Sequence, residues 1–166
     1  QKRDRSSMMA SPVAFLERVK RLKASSSKVC VVLHCFAGGR RQGDLEHWLH
    51  HWANIMGVLL LVESVDLAFN GEWDLGNPHT IALLLDMLAM KLIDVVCGGA
   101  PCATWSRVRF LPGGPRPLRF RGPEEWGRRD LTAVEMEQVA EANKLMLNFM
   151  ALVEAVTKAG GLFFFE

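Results

Sequence analysis

Val29-Cys30-Val31-Val32-Leu33-His34-Cys35-Phe36, followed at once by Ala37-Gly38-Gly39, decides the fold. The run is β-branched and apolar with almost no polar alternation. That is the pattern of a strand covered on both faces, as strands of parallel sheets are. Further runs of the same kind lie downstream: Val58 to Val65, closed by Asp66, then Ile93 to Cys97, then Leu162 to Phe165. Between them the apolar spacing turns helical. From Asp44, an N-cap residue, Leu45, Trp48, Leu49, Trp52 and Met56 form a helical face that stops at Gly57, and Trp48 and Trp52 are expected in the core. Asn77-Pro78 opens a second helix carrying Ile81, Leu84, Leu85, Leu88 and Leu92. Thr132 with Glu135 is a capping-box pair that opens a long helix ending near Gly160-Gly161. Strands alternating with helices predict right-handed crossovers and a doubly wound, Rossmann-like α/β domain with a parallel-sheet core. Ligands of such sheets gather outside the carboxyl ends of the strands.

The chain has 166 residues, 49% of them hydrophobic, enough for one domain with a continuous core. Its formal charge of +2 gives bulk electrostatics no say in the choice of partner, so any nucleic-acid contact must come from local clustering. Cys30, Cys35, Cys97 and Cys102 lie in or beside apolar runs, which points to reduced thiols and an intracellular protein. No stretch reaches the roughly 18 consecutive apolar residues of a membrane span, and no membrane partner is expected. Residues 1–27 are charged and Ser-rich, with Val13, Phe15, Leu16, Val19 and Leu22 sufficient for a turn or two of helix; they are expected to be a flank to a domain over 28–166. The chain begins on Gln and ends on an apolar strand-like run, so a C-terminally truncated domain is expected, monomeric or part of a larger polypeptide.

Most segments of chemical interest follow a predicted strand. Glycines after the first strand let backbone approach a ligand, and an acid closing the second can bind ribose hydroxyls. Asp66 fits that acid better than Glu63, which lies inside the strand. Neither Gly-x-Gly-x-x-Gly nor Gly-x-x-x-x-Gly-Lys-Ser/Thr occurs, which argues against nicotinamide and nucleoside-triphosphate enzymes.

Phe36-Ala37-Gly38-Gly39 resembles the Phe-Ala-Gly-x-Gly-Gly loop of cytosine-5 DNA methyltransferases, and Gly98-Gly99-Ala100-Pro101-Cys102 resembles their Gly-Gly-Pro-Pro-Cys segment. Glu72-Trp73-Asp74-Leu75 lies where that family has an acid that meets the cofactor's adenine, and Phe163-Phe164-Phe165-Glu166 resembles the strand leading into its Glu-Asn-Val motif. Methyltransferase-like domains of eukaryotic retroelement polyproteins are similar through Pro101-Cys102-Ala103-Thr104-Trp105-Ser106 and the Arg-rich loop beyond it. The chain departs from the family at Ala100, where a proline is usual, at Ala103, where a glutamine follows the cysteine, and at Arg40-Arg41, where a further glycine turn is expected. The resemblance implies methyl transfer from S-adenosylmethionine to carbon 5 of cytosine in DNA, in the nucleus if the source is eukaryotic. Cys102 would be the nucleophile and Glu166 the group that holds the flipped base. It implies that Phe36, Ala37, Gly38, Gly39, Asp66, Asp74, Leu75, Gly99 and Pro101 surround the cofactor.

Residues 98–130 have no sustained period and are expected to form a long loop, functional or disordered. From Arg107 to Arg129 it holds seven arginines against Glu124 and Glu125, interleaved with Phe110, Phe120 and Trp126 just after Trp105. Ser106, Arg107, Arg109, Arg119 and Arg121 are the expected nucleic-acid contacts. No metal is expected: a four-thiolate zinc site can be drawn from the cysteines, but zinc pairs favour turns over buried strands. His47 and His51 sit a helical turn apart without a metalloprotease pattern. The rival readings are a non-catalytic mobile-element domain that touches nucleic acid or protein through the Arg loop, and another nucleoside-binding enzyme on the same fold.

Overall fold

A computed structural model describes residues 11–26, 28–39, 41–67, 71–99 and 101–165; Glu166 lies outside the described residues. Four strands, β1 (Val29–Cys35), β2 (Leu59–Val65), β3 (Val95–Gly98) and β4 (Leu162–Phe165), pair in parallel in the order β2-β1-β3-β4. The helices are α1 (Pro12–Ser25), α2 (Leu45–Met56), α3 (Pro78–Ala89) and α4 (Ala133–Lys158). The expected parallel α/β architecture is therefore present.

The ends of the helices follow their local chemistry. Asp44 accepts the His47 amide at 2.9 Å to start α2, and Gly57, in the left-handed conformation, stops it. Asn77 caps α3, while Thr132 and Glu135 form the reciprocal capping box of α4. Helices cover both sheet faces unequally. Val31, Leu33 and Cys35 of β1, Leu61 and Val65 of β2 and Val96 of β3 share one core with α1, α3 and α4. On the opposite face lies α2, where Glu46 accepts a hydrogen bond from Ser64 of β2 at 2.8 Å.

Two expectations need correction. The segment read as a flexible or helical flank does form a helix, α1, but over 14 residues and with Phe15 and Val19 fully buried. Phe15 packs edge-on to Trp73 with ring centroids 5.8 Å apart, and Lys23 holds Asp94 at 2.7 Å while Asp94 accepts the Val31 amide at 2.8 Å. Helix α1 thus belongs to the domain. The second correction is that Trp48 and Trp52 are 50% and 55% exposed, because α2 turns Glu46, Leu49 and Ala53 toward the sheet. Apolar spacing identified a helical face but not what covers it. The strand β4 is exposed along its length, although Phe165 meets Phe149 of α4 at 5.7 Å.

Candidate functional site

The sheet order creates a topological switch. From β1 the chain passes to β2 on one side, and β3 pairs with β1 on the other, so a crevice is expected beyond the ends of β1 and β3. Cys35 pairs with Val65 and with Gly98, and Gly98 pairs with Phe165, so all four strands end at one level. The segments singled out in the sequence leave the sheet side by side at that edge.

Close approach of the central strands depends on Gly98. Its φ is 144°, and a Cβ there would collide with the Cys35 carbonyl. Beyond β1, Phe36 adopts φ 56° and sets its ring against Phe149 at 5.8 Å. Gly38, at φ 65°, donates its amide to Asp66 at 3.0 Å, and Ala37 donates to the Val65 carbonyl at 3.4 Å. The acid that closes β2 therefore braces the glycine loop that follows β1. Gly38 has no neighbour within 4 Å of an added Cβ, which leaves this backbone open to approach.

Asp74 shapes its own turn, accepting the Gly76 amide at 2.7 Å, and Asn148 of α4 donates to the Leu75 carbonyl at 2.7 Å. Leu75 and Trp73 are core residues. The Leu75 side chain faces the interior and its carbonyl is taken by Asn148, so it offers a ligand no side-chain contact.

Cys102 opens a short 3-10 turn, Cys102–Thr104, just past β3, and it is exposed. The other thiols are held back by burial. Desolvation pushes Cys97 up to about 11 and raises Cys30 and Cys35 as well, disfavouring their thiolates. Among the four cysteines Cys102 is the exposed one, Cys30 being half-buried. The four-thiolate zinc arrangement is not formed, since the described residues contain no group of three or more His, Cys, Asp or Glu arranged to hold a metal.

The Arg-rich segment is ordered around one buried side chain. Arg119 is buried and donates five hydrogen bonds, two to the Thr104 hydroxyl at 3.0 and 3.2 Å and the others to Asn143 and the Glu125 and Val139 carbonyls. Its guanidinium also lies 3.6 Å from the Trp105 ring centroid. A guanidinium has five N–H donors, so none remains for a phosphate. Arg109 bonds the Ala103 and Arg116 carbonyls, Arg116 pairs with Glu135 and Asp130, and Arg128 pairs with Asp130. Ser106 caps a second 3-10 turn, Arg107–Phe110, by accepting the Val108 amide. Arg107, Arg121 and Arg129 are exposed with no hydrogen-bond or ion-pair partner among the described residues. Of the five expected nucleic-acid contacts, the structure leaves Arg107 and Arg121 outward and uncommitted, and turns Arg119 into scaffold.

Thr104 separates two clefts. One, of about 970 Å³, lies between Pro101, Ala103 and α4; the other, of about 1000 Å³, is bounded by Trp105, Arg107, Phe110, Phe120 and Arg121. The sequence offered weak signals for this partition: a threonine two residues after Cys102, and Asn143 between the apolar positions Val139 and Leu145 of α4. Neither signal names Arg119 as the common partner.

No described helix is long and apolar enough to cross a membrane. The chain matches no protein-family model, no curated protein and no solved structure. Fold and site define an α/β domain with a four-stranded parallel sheet. Its glycine loop, its bracing acid and its accessible thiol share the carboxyl edge of that sheet.

Proposed function

We propose that this domain is a Rossmann-like S-adenosylmethionine-dependent methyltransferase domain acting on carbon 5 of cytosine in DNA, with Cys102 as nucleophile. The observation that carries the proposal is the convergence of the Phe36–Gly39 loop and the Cys102 turn at the β1–β3 switch point.

The residues present fit the cofactor. The carboxylates of Asp66 and Asp74 are acceptors of the type that ribose hydroxyls and an amine require, and the backbone at Gly38 is open to close approach. S-adenosylmethionine supplies the electrophilic methyl group. As thiolate, Cys102 Sγ would add to carbon 6 of the ring and make carbon 5 nucleophilic; once carbon 5 carries the methyl group, loss of its proton to water would expel the thiolate and restore the ring double bond. Pro101 stiffens the approach to Cys102 by fixing its own φ. Glu166 is assigned the pyrimidine edge through the family resemblance alone.

Calorimetric titration with S-adenosylmethionine tests the cofactor, and saturable binding is expected. Incubation with DNA containing 5-fluorocytosine should trap a covalent adduct that Cys102→Ala abolishes while cofactor binding persists. Absence of saturable binding sinks the methyltransferase reading; cofactor binding without an adduct removes Cys102 as nucleophile.

A further inference from the structure

The cleft beyond Thr104 carries features that methyl transfer does not use. Phe110 and Phe120 are 56% and 40% exposed, although each is fixed by its neighbours. Their ring centroids lie 6.0 Å apart, Arg128 sits 4.6 Å over Phe120, and Trp105 is clamped between Arg119 at 3.6 Å and the edge of Trp126 at 5.7 Å. An exposed apolar patch rimmed by polar side chains, as Phe110, Leu111 and Phe120 form beside Arg107 and Arg121, marks a binding site. The cations beside them divide sharply. Arg109, Arg116, Arg119 and Arg128 are consumed internally, while Arg107 and Arg121, both lining the cleft, have no partner among the described residues. Glu125 is the one acid in the lining.

We propose that this cleft is a stacking site for an unpaired nucleobase, so that the strand presented to Cys102 is single-stranded. Stacking requires a free base face. In a duplex each face is covered by its neighbours, whereas an unpaired base can lie on Phe110 or Phe120 while Arg107 and Arg121 meet the flanking phosphates. Even with Arg129, the three uncommitted arginines of the segment are too few to hold a duplex by counterion release alone, which makes the aromatic faces decisive. The cleft adjoins the Cys102 turn through Thr104 and Trp105. The inference rests on the proposed methyl transfer only for the identity of the reacting base.

Fluorescence anisotropy with a labelled cytosine-containing oligonucleotide, single-stranded and annealed to its complement, tests it. The single strand is expected to bind at least about tenfold more tightly than the duplex. Phe110→Ala with Phe120→Ala should weaken the single strand by about tenfold or more and bring the two affinities together, while Phe110→Tyr with Phe120→Tyr retains the preference. Arg107→Gln with Arg121→Gln should lower the slope of log affinity against log salt by about 1.4. Duplex binding as tight as single-strand binding overturns the proposal, and so does single-strand affinity unchanged in the Phe-to-Ala variant. Cofactor titration on the same protein separates the two readings: strand preference without cofactor binding sinks methyl transfer and leaves the stacking site standing.

Discussion

Two residues fix the geometry of the site without touching a ligand. Gly98 holds φ 144° against the Cys35 carbonyl, so Gly98→Ala must strain the backbone and push β1 from β3. A loss of at least about 3 kcal/mol in urea unfolding is expected, from strain plus overpacking. A variant as stable as the parent would mean that the strands need no close approach. Arg119→Lys keeps the charge but replaces a five-donor fork with one ammonium, leaving buried acceptors on Thr104, Asn143 and two carbonyls. About 2–4 kcal/mol should be lost, together with protection of the 104–126 amides in hydrogen exchange. The glycines and Cys102 were legible in the sequence because short motifs after strands carry position as well as identity. The role of Arg119 was not, since an arginine in a basic loop reads as a phosphate ligand until its five partners are seen.

At the scale of elements, local signals outperformed long-range ones. Caps at Asp44, Asn77 and Thr132 fixed the starts of three helices, because a cap is settled by residues within one turn. Coverage is settled elsewhere in the chain. Trp48 and Trp52 have core spacing, yet α2 buries Glu46 and Ala53 instead; Phe15, in a segment read as flank, is fully buried against Trp73. The contrast is measurable. Trp48→Gln with Trp52→Gln should change unfolding free energy by less than about 1 kcal/mol, as substitutions at exposed positions do. Phe15→Ala should cost about 3–5 kcal/mol, the range for a buried aromatic. Reversal of that order would place α1 outside the cooperative unit and α2's tryptophans inside it.

Across the whole molecule, Glu63 couples elements on both faces of the sheet. It lies 4% exposed within β2, its Oε1 without a hydrogen-bond partner. Burial pushes its carboxyl up to about 7 from the ordinary 4.5; Glu46 on α2 adds to the rise, while Arg18 on α1 and a hydrogen bond from Trp73 oppose it. The folded chain therefore keeps a proton that the unfolded chain releases between pH 4.5 and about 7. The sign follows from proton linkage: the protonated carboxyl contributes stability that is complete below the unfolded pKa and is lost as pH rises through the folded one. A shift of that size corresponds to about 3 kcal/mol. Urea unfolding at pH 5 and pH 8 should show the parent losing about that much relative to Glu63→Gln, whose neutral amide cannot titrate. Parallel pH profiles for the two proteins would mean that Arg18 and Trp73 offset the burial, and that Glu63 is held as a carboxylate inside the sheet.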